Sequence, residues 1–232
     1  MTQRVMVIAI DGPAASGKSS TAQWVARKLG FFHVDSGSLY RAATAAQLQR
    51  NPNAEAWTDE SVLEEARRIA FTPQGGTFVP LIDNETCDEL LRGTDVTRNV
   101  SRVATMPRVR EWVNGHVRRA GQSQNVVVDG RDIGTVVFPA ADLKIFLVAD
   151  PWERARRRLI QRLGRHPGDE EIAAETELIV KRDAKDATQT VQAADAILID
   201  TTYLTQEDQV ERIVALARAV TTRSDDTSAV DA

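Results

Sequence analysis

Short apolar runs alternate along the chain with longer stretches whose apolar residues recur every three or four positions. Short runs of this kind are typical of buried strands in a parallel sheet, and the longer period is typical of helices. The predicted strands are Val5–Ile10, Phe31–Val34, Val126–Val128, Leu143–Val148 and Ala196–Ile199. Because helical patterns separate most of these strands, the sequence predicts an α/β fold with a five-stranded parallel sheet flanked by helices.

Proline, glycine and capping residues predict where several helices begin and end. Pro107 and Pro151 each stand at a first helical position, where a missing backbone N–H costs little. Gly164 follows the second of these helices and should end it, since glycine readily adopts the left-handed conformation common after a helix. Thr205 and Asp208 are spaced like a capping box, which predicts the start of the last helix.

One interval interrupts the alternation of strands and helices. The turn sequence Gln-Gly-Gly-Thr at residues 74–77 lies between the apolar runs Ile69–Thr72 and Phe78–Ile82, so it predicts a β-hairpin. The last residues are small, polar and acidic, which is typical of disorder. The predicted organisation is a core of residues 1–69 and 101–220, an insert of residues 70–100 and a disordered tail of residues 222–232.

Composition narrows the class of protein. The 232 residues are 42% hydrophobic and 27% charged, enough to bury a sizeable core beneath a soluble surface. The net charge of −4 argues against a general nucleic-acid-binding protein, which is usually basic. With no apolar run approaching about 18 residues and no signal peptide, we expect no membrane association. The three histidines lie too far apart to predict a zinc site, and the single cysteine, Cys87, fits a reducing compartment, which indicates a cytoplasmic protein.

A complete phosphate-binding loop follows the first predicted strand. Residues 12–19 match G-x-x-x-x-G-K-[ST] at every fixed position, and a helical pattern, Ser20–Leu29, comes next. Backbone N–H groups of such a loop surround a β-phosphate, Lys18 can reach the β- and γ-phosphates, and the Ser19 hydroxyl can bind Mg²⁺. The residues predicted to bind ATP in this segment are Gly12, Pro13, Ala14, Ala15, Ser16, Gly17, Lys18, Ser19 and Ser20. The loop alone fits GTPases, motor ATPases and kinases equally.

Four further segments carry polar side chains that suit a second phosphate-bearing ligand. Residues 35–41, Asp-Ser-Gly-Ser-Leu-Tyr-Arg, follow the second strand and open a helix, so a hydroxyl, helix N–H groups and an arginine can converge on a phosphate. Residues 128–134 leave the third strand, where Asp129 holds the strand-end position at which a carboxylate usually orients Mg²⁺. The other two segments are residues 101–110, which lead into a helix, and residues 182–186, which close one.

In their order and spacing, these segments resemble the bacterial cytidylate kinase family. The resemblance runs from Val5 to about Thr202 and depends most specifically on residues 35–41 and 129–139. It implies a core resembling adenylate kinase, a nucleotide-binding insert at residues 70–100 and a mobile lid at residues 154–170. It also implies phosphoryl transfer from ATP to CMP or dCMP, with Mg²⁺ as the cofactor.

The resemblance also implies roles for individual residues. Those implied to hold the acceptor phosphate are Ser36, Arg41 and Arg131. Those implied to read cytosine are Ser101, Arg110 and Asp132, and those implied to hold the sugar are Arg182 and Asp186. With the phosphate-binding loop included, the predicted catalytic residues are Lys18, Asp129, Arg131 and Arg158, and the predicted metal ligands are Ser19 and Asp129.

The donors and acceptors of cytosine make the base-reading assignment physically reasonable. The N4 amino group of cytosine suits a carboxylate such as Asp132, whereas the acceptors N3 and O2 suit Arg110 and the Ser101 hydroxyl. Uracil presents O4 in place of the amino group, and a carboxylate would repel it. The chain departs from its family at Gln189, where arginine is usual, and this departure bears on CMP affinity and base selectivity.

An arginine-rich helix follows the fourth predicted strand. Arg154, Arg158 and Arg162 recur every four residues and share one face, from which they can neutralise charge on a transferred phosphoryl group. We predict that Arg154 binds ATP and that Arg158 takes part in catalysis. For the individual arginines, a solvated basic face or a nucleic-acid-binding face is the alternative interpretation.

The sequence leaves three alternatives to a CMP kinase open. A P-loop kinase for UMP, AMP or a non-nucleotide acceptor fits the same donor loop. A regulatory GTPase would need an Asn-Lys-x-Asp-like guanine-reading motif, which the chain lacks. A nucleic-acid-binding module disagrees with the acidic net charge. We expect a monomer whose partners are its small-molecule substrates, with in-line transfer that depends on positioning and charge neutralisation.

Overall fold

The structure, a computed structural model, describes residues 5–230, with side chains as far as residue 222. Its strands are β1 (Val7–Asp11), β2 (Phe32–Asp35), β3 (Ile69–Gln74), β4 (Thr77–Ile82), β5 (Glu85–Thr86), β6 (Val126–Asp129), β7 (Leu143–Val148) and β8 (Ile197–Asp200). Its α-helices are α1 (Lys18–Leu29), α2 (Ser36–Arg50), α3 (Asp59–Ala66), α4 (Asp88–Leu91), α5 (Thr94–Ala104), α6 (Pro107–Ala120), α7 (Pro151–Leu163), α8 (Asp169–Asp186) and α9 (Gln206–Val230). A short 3₁₀-helix, Ala54–Ala56, and a turn of π-helix, Ile133–Val137, lie between them.

Within the described residues, one sheet contains all the strands, in the order β3-β4-β2-β6-β1-β7-β8 with β5 beside β4. The five neighbouring strands β2, β6, β1, β7 and β8 run parallel, which confirms the predicted parallel sheet and the α/β class. β1 is the central strand of the five, so the loop after it lies between the ends of β6 and β7. In open α/β sheets, ligands bind outside the carboxyl ends of the strands, at this kind of position.

The predicted hairpin is present, and it extends the main sheet. β3 pairs antiparallel with β4 along its length, and β4 also pairs parallel with β2 through His33↔Thr77 and Val34↔Phe78. The ring of Phe78 packs against Phe32 of β2, with centroids 5.7 Å apart. These contacts cover an edge of β2 that would otherwise expose unpaired backbone groups. The strands of the predicted insert, residues 70–100, are therefore part of the same sheet as the core strands.

Alternate residues of the central strands enter two separate cores. Val126 and Val128 of β6 pack on the side of α2 and α6, whereas Val127 packs with Ile8 and Ile10 on the side of α1 and α9. All five side chains are fully buried, as expected for parallel strands covered on both faces. Burial of each such side chain contributes about 1.5–3 kcal/mol, so the strands that carry the site are firmly held.

The helix boundaries follow the predicted signals. α6 begins at Pro107 and α7 at Pro151, and Gly164 ends α7 with a φ of 66°. The Thr205 N–H donates to Asp208 Oδ2 at 3.1 Å, and the Asp208 N–H donates to Thr205 Oγ1 at 3.1 Å. These reciprocal hydrogen bonds confirm the predicted capping box at the start of α9.

The last helix is longer than the composition predicts. α9 continues to Val230 and so includes most of the segment 222–232, for which we predict disorder. A helix that is already packed through Val210 and Ile213 gains one hydrogen bond for each residue it adds and needs no new nucleus. Residues 231 and 232 lie outside the described residues. In the described part of the chain, no helix combines the length and apolarity needed to cross a bilayer.

Candidate active site

The phosphate-binding loop connects β1 to α1 with backbone angles that restrict which residues it can contain. Gly12 has a φ of 145°, and a Cβ there would lie 2.1 Å from the carbonyl oxygen of Leu147 in β7. Gly17 caps α1 with a φ of 90°, and Ala15 has a φ of 58°. The glycines therefore let the loop pass close to β7 before it turns into the N-terminus of α1, where backbone N–H groups can meet an anion.

Lys18 begins α1, and its side chain is buried against the loop. Its Nζ donates to the Pro13 carbonyl oxygen at 2.6 Å and to Ser16 Oγ at 3.4 Å. Burial lowers the pKa of Lys18, and the charge of Arg131 acts in the same direction while that of Asp129 opposes it. The ammonium group lies across the loop, where a bound anion would relieve the cost of its burial.

Ser19 and Asp129, the predicted metal ligands, are in contact. Ser19 Oγ donates to Asp129 Oδ2 at 2.5 Å, because β1 and β6 are neighbours and Ile10 pairs with Asp129. A hydroxyl and a carboxylate are the hard oxygen ligands that Mg²⁺ prefers, and this ion usually takes one or two protein ligands together with substrate phosphates. The pair therefore fits Mg²⁺. Among residues 5–222, no group of three or more His, Cys, Asp or Glu side chains could hold a metal ion.

The remaining oxygens of the buried Asp129 also have partners. His33 Nε2 lies 2.7 Å from Asp129 Oδ1, and Ser36 Oγ donates to the Asp129 carbonyl oxygen at 2.9 Å. Burial acts to lower the pKa of His33, but the hydrogen bond to Asp129 and its charge raise the pKa overall. Asp35 pairs with Asp129 across β2 and β6, and burial followed by the charge of Asp129 raises the pKa of Asp35 to about 6. Ser36, a predicted site residue, thus lies beside Asp129. No sequence pattern indicates that His33 contacts Asp129 as well.

Asp11, the last residue of β1, anchors the loop that follows β6. Its Oδ1 accepts from the Ile133 N–H at 2.8 Å, and its Oδ2 accepts from the Gly134 N–H at 2.7 Å. Burial raises the pKa of Asp11 to about 6, although both hydrogen bonds favour the ionised form. The carboxyl group therefore holds the loop that contains Arg131 and Asp132 close to the phosphate-binding loop. Sequence patterns do not predict this role.

Arg110 and Asp132, both predicted to read the acceptor base, form an ion pair. Arg110 Nη2 donates to Asp132 Oδ2, and Arg110 Nη1 donates to Gln189 Oε1 at 2.9 Å and to the Ala104 carbonyl oxygen at 3.0 Å. Burial raises the pKa of Asp132, while Arg110 acts to lower it. Ser101 lies one turn before Ala104 on the same helix, α5. The structure therefore brings Gln189 into the predicted base-reading group and places Ser101 on the adjoining turn.

Arg182, predicted to hold the sugar, lies close enough to the predicted phosphate-binding arginines for their charges to affect one another. Burial lowers the pKa of Arg182 to about 10, and the charge of Arg131 is the next cause. Arg41 and Arg158 act in the same direction, whereas Asp186 opposes them. The Nε atoms of Arg131 and Arg182 lie 3.5 and 3.7 Å from one Asp186 oxygen, yet in the described part of the chain neither Nε has a hydrogen-bond partner. One carboxylate shared by two guanidinium groups leaves a positive region that suits a phosphate.

Arg41 links the second helix to the segment after the hairpin. Its Nη1 donates to the Leu91 carbonyl oxygen at 3.1 Å and to Thr97 Oγ1 at 3.3 Å. Burial lowers the pKa of Arg41, and Asp35 is the largest opposing influence. Arg92, which sequence patterns do not single out, adds a further positive charge beside it.

Arg154 supports the phosphate-binding loop from the side of α7. The side chain is buried, and its Nη1 donates to the Ala14 carbonyl oxygen at 2.8 Å and forms an ion pair with Asp183 at 2.7 Å. Its Nε donates to the Ala149 carbonyl oxygen at 3.0 Å, and the Ala14 N–H donates to Asp183 Oδ1 at 3.3 Å. These partners are all protein atoms, so direct contact of Arg154 with ATP stays a prediction.

Arg158 and Arg162 share the face of α7 that carries Arg154, and this face is turned toward acidic residues of α8. Arg158 Nε and Arg162 Nη2 lie 3.2 and 3.1 Å from the two carboxylate oxygens of Glu175. Glu175 is 4% exposed, whereas the two arginine side chains are 29% and 55% exposed. The buried carboxylate therefore orients both arginines while it leaves parts of them accessible to a ligand.

The fold and the site together define a class of protein. A parallel sheet carries a phosphate-binding loop at the end of its central strand, with a buried lysine in the loop and a serine–aspartate pair that fits Mg²⁺. A second group of arginines lies at the same edge of the sheet. This combination is that of a P-loop kinase.

Comparison with known proteins identifies the family. The family model described as cytidylate kinase matches residues 8–219. The cytidylate kinase of Chloroherpeton thalassium is 39% identical over 227 residues, which cover 95% of this chain and 96% of that protein. The cytidylate kinase of Limosilactobacillus fermentum is 40% identical over 211 residues, with coverages of 89% and 92%. The chain belongs to the cytidylate kinase family, which confirms the resemblance of its motifs.

Proposed function

We propose that this chain transfers the γ-phosphoryl group of ATP to CMP, and also to dCMP. The observation that carries the proposal is the meeting of two chemically distinct groups at one edge of the sheet. The phosphate-binding loop follows β1, and the Arg110–Asp132 pair adjoins the segment that follows β6, the strand next to β1. A nucleoside triphosphate and a cytosine-bearing acceptor would therefore approach each other across the ends of two paired strands.

On the donor side, the loop N–H groups and Lys18 bind the phosphates of ATP. Ser19 and Asp129 would hold Mg²⁺, which would neutralise charge on the phosphate oxygens. Lys18 already contacts the Pro13 carbonyl oxygen and Ser16, so its ammonium group is positioned over the loop before ATP arrives. Such preorganisation avoids part of the reorganisation cost during transfer.

On the acceptor side, Ser36, Arg41 and Arg131 bind the phosphate of CMP. The arrangement that supports this assignment is the half-buried pair Arg131 and Arg182, which share the carboxylate of Asp186. A dianionic phosphate would supply the unpaired Nε donor of Arg131 with an acceptor. Arg182 and Asp186 then contact the sugar, and contacts that tolerate a missing 2′-hydroxyl would permit dCMP.

The base is selected by Asp132, Arg110 and Ser101. Asp132 accepts from the cytosine N4 amino group, while Arg110 and the Ser101 hydroxyl donate to the ring acceptors. The ion pair between Arg110 and Asp132 supports this assignment, because it holds both side chains in one orientation before the base binds. A uracil would place its O4 against the carboxylate, and two acceptors facing each other leave both unpaired.

The reaction is an in-line displacement at phosphorus. An oxygen of the CMP phosphate attacks the γ-phosphorus, and the bond from that phosphorus to the bridging oxygen of ADP breaks. The attacking oxygen already carries negative charge, so no strong general base is required. Arg131 and Arg158 neutralise charge on the transferred group, and closure of residues 154–170 excludes water, which prevents hydrolysis of ATP.

A coupled assay of ADP release tests the proposal. Purified protein with MgATP is offered CMP, dCMP, UMP and AMP in parallel, each over a range of concentrations. We expect kcat/KM for CMP to exceed that for UMP and AMP by at least about tenfold, as hydrogen-bond discrimination of a base implies. Equal rates with all four nucleotides would exclude base reading by Asp132. A preference for UMP or AMP would show that this nucleotide, and not CMP, is the acceptor.

A further inference from the structure

His33 of β2 directly contacts the proposed metal ligand Asp129. Its side chain is 6% exposed, and its Nε2 lies 2.7 Å from Asp129 Oδ1. The other carboxylate oxygen, Oδ2, accepts from Ser19 Oγ at 2.5 Å. The two oxygens of one carboxylate are thus divided between a histidine inside the protein and a hydroxyl at the proposed metal site.

The chemistry of this pair determines which group donates. An ionised carboxylate only accepts hydrogen bonds, so His33 Nε2 carries a hydrogen and donates it to Asp129. The opposite ring nitrogen, Nδ1, is buried and has no hydrogen-bond partner within the described residues. An unpaired buried polar atom is destabilising, and an apolar side chain would pack at this position without that cost. The single side-chain hydrogen bond of His33, the one with Asp129, therefore explains why a histidine stands at this position.

The backbone fixes the position from which His33 donates. Its N–H donates to the Gly76 carbonyl oxygen at 2.9 Å, and β2 pairs with β6 through His33↔Val127 and Asp35↔Asp129. His33 and Asp129 therefore project from the same face of the sheet, on neighbouring strands and two positions apart in register. A donor held rigidly on a paired strand restricts the carboxylate of Asp129 to one rotation about its terminal bond.

We propose that His33 is a positioning residue, which holds the carboxylate of Asp129 so that Oδ2 faces Ser19 and the Mg²⁺ that these two residues would bind. This inference rests on the proposed function of Ser19 and Asp129 as metal ligands. Removal of a hydrogen-bond partner of a metal ligand typically weakens metal binding or activity by about 10–100-fold. Without His33, the carboxylate of Asp129 can rotate away from the ion. Mg²⁺ then binds more weakly, because part of its binding free energy is needed to orient the carboxylate.

Three substitutions at position 33 separate positioning from packing. His33→Gln places an amide nitrogen as far along the side chain as Nε2 and keeps the donor. His33→Asn places the amide nitrogen where Nδ1 lies, and this side chain is too short to reach Asp129. His33→Phe keeps an aromatic ring but removes the donor. Asp129→Asn weakens the proposed ligand itself and serves as the reference. His116→Phe on α6 controls for the loss of a histidine elsewhere.

Two measurements on the full-length chain give the result. The first is the free Mg²⁺ concentration that supports half-maximal CMP turnover. The second is the rise in Tm that Mg²⁺ adds when ADP is already saturating, a readout that requires no acceptor and no catalysis. We expect His33→Asn and His33→Phe to raise the half-maximal Mg²⁺ concentration about tenfold and to lose most of the Mg²⁺-dependent rise in Tm, with His33→Gln within about twofold of the wild type.

The reference variant separates failure of this inference from failure of the proposed function. If Asp129→Asn loses the response to Mg²⁺ while His33→Asn and His33→Phe keep it, His33 only packs and the inference is wrong. A lower Tm at zero Mg²⁺ with unchanged Mg²⁺ dependence leads to the same conclusion. If Asp129→Asn also keeps the response, the proposed metal site fails and the inference fails with it. A wild type that responds to Mg²⁺ and ADP but does not phosphorylate CMP contradicts the proposed acceptor alone.

Discussion

Asp132→Asn is the substitution that most directly tests how the acceptor base is chosen. Asp132 is 12% exposed and pairs with Arg110, which is 20% exposed, so the carboxylate acts in a largely desolvated site. Asparagine keeps the shape and one acceptor oxygen, which can still pair with Arg110. It replaces the second oxygen by an amide donor, which opposes the amino group of cytosine and suits the O4 of uracil.

The size of the effect follows from the interaction that is lost. A hydrogen bond to a charged group contributes about 1.5–3 kcal/mol, so kcat/KM for CMP should fall by about ten- to a hundredfold. The value for UMP should stay level or rise, because the repulsion between a carboxylate and O4 disappears. Arg110 keeps the Gln189 and Ala104 oxygens as acceptors, so the variant should remain folded.

Steady-state kinetics with CMP and UMP as acceptors, at saturating MgATP, measure this change. Asp95→Asn is a matched control, since it makes the same chemical change at a carboxyl that is 72% exposed on α5. If kcat/KM falls by the same factor for both nucleotides, Asp132 supports the site without reading the base. If neither value changes, the base binds elsewhere.

Three further substitutions test other parts of the site. Lys18→Ala should abolish phosphoryl transfer with little change in Tm. Near-normal turnover in the ADP-release assay would show that the phosphate-binding loop takes no part in catalysis. Gln189→Arg replaces the acceptor of Arg110 by a second guanidinium, so Tm without ligand should fall. The added positive charge at the acceptor site should lower KM for CMP about tenfold and leave KM for ATP unchanged. An unchanged KM for CMP would show that position 189 does not affect the acceptor. In Asp11, the pKa is raised from 3.8 to about 6, so the folded state binds the proton more tightly and the contribution of this group to stability falls as pH rises from about 4 to 6. Relative to Asp11→Asn, the free energy of unfolding of the wild type, measured in denaturant titrations, should therefore decrease by about 2 kcal/mol between about pH 4 and 6. Parallel pH profiles for the two proteins would contradict this reasoning.

The inner strands β1, β6 and β7 were predictable because each is an apolar run that the fold buries on both faces. The run of β8 was predictable as well, although Ile197 and Leu198 are exposed at the edge of the sheet. Leu143–Val148 has the predicted bounds in the structure, and the other four predicted strands differ by one or two residues at their ends. The pairing of β4 with β2 was not predictable, since it depends on two residue pairs between segments more than 40 positions apart. Composition also predicted disorder where α9 continues, because composition takes no account of the packed helix that precedes residue 222.

Sequence motifs predict which residues come together in the site, but they do not predict the contacts that hold those residues in position. Ser19 and Asp129 were predictable as partners, since a phosphate-binding loop and a strand-end carboxylate are expected at one edge of a parallel sheet. Asp11 and His33 act through contacts that depend on the register of neighbouring strands, and register has no signature in a single short run. Asp183 lies inside the segment 182–186, which the sequence indicates through Arg182 and Asp186. Its hydrogen bond to the phosphate-binding loop depends on the folded arrangement of α8 beside that loop, which no motif predicts.

The carboxylates that pair with the arginines explain how this site can be positive and yet stable in the free protein. Buried arginines need counterions, and the chain supplies Asp132, Glu175 and Asp186. Because Glu175 and Asp186 are each shared by two guanidinium groups, those arginines are oriented but not fully neutralised. The desolvation cost of the arginines is therefore met during folding, so incoming phosphates complete a set of hydrogen bonds that is already aligned. Selectivity for the base and affinity for the phosphate then depend on different acids, which is why Asp132→Asn should change the first and leave the second intact.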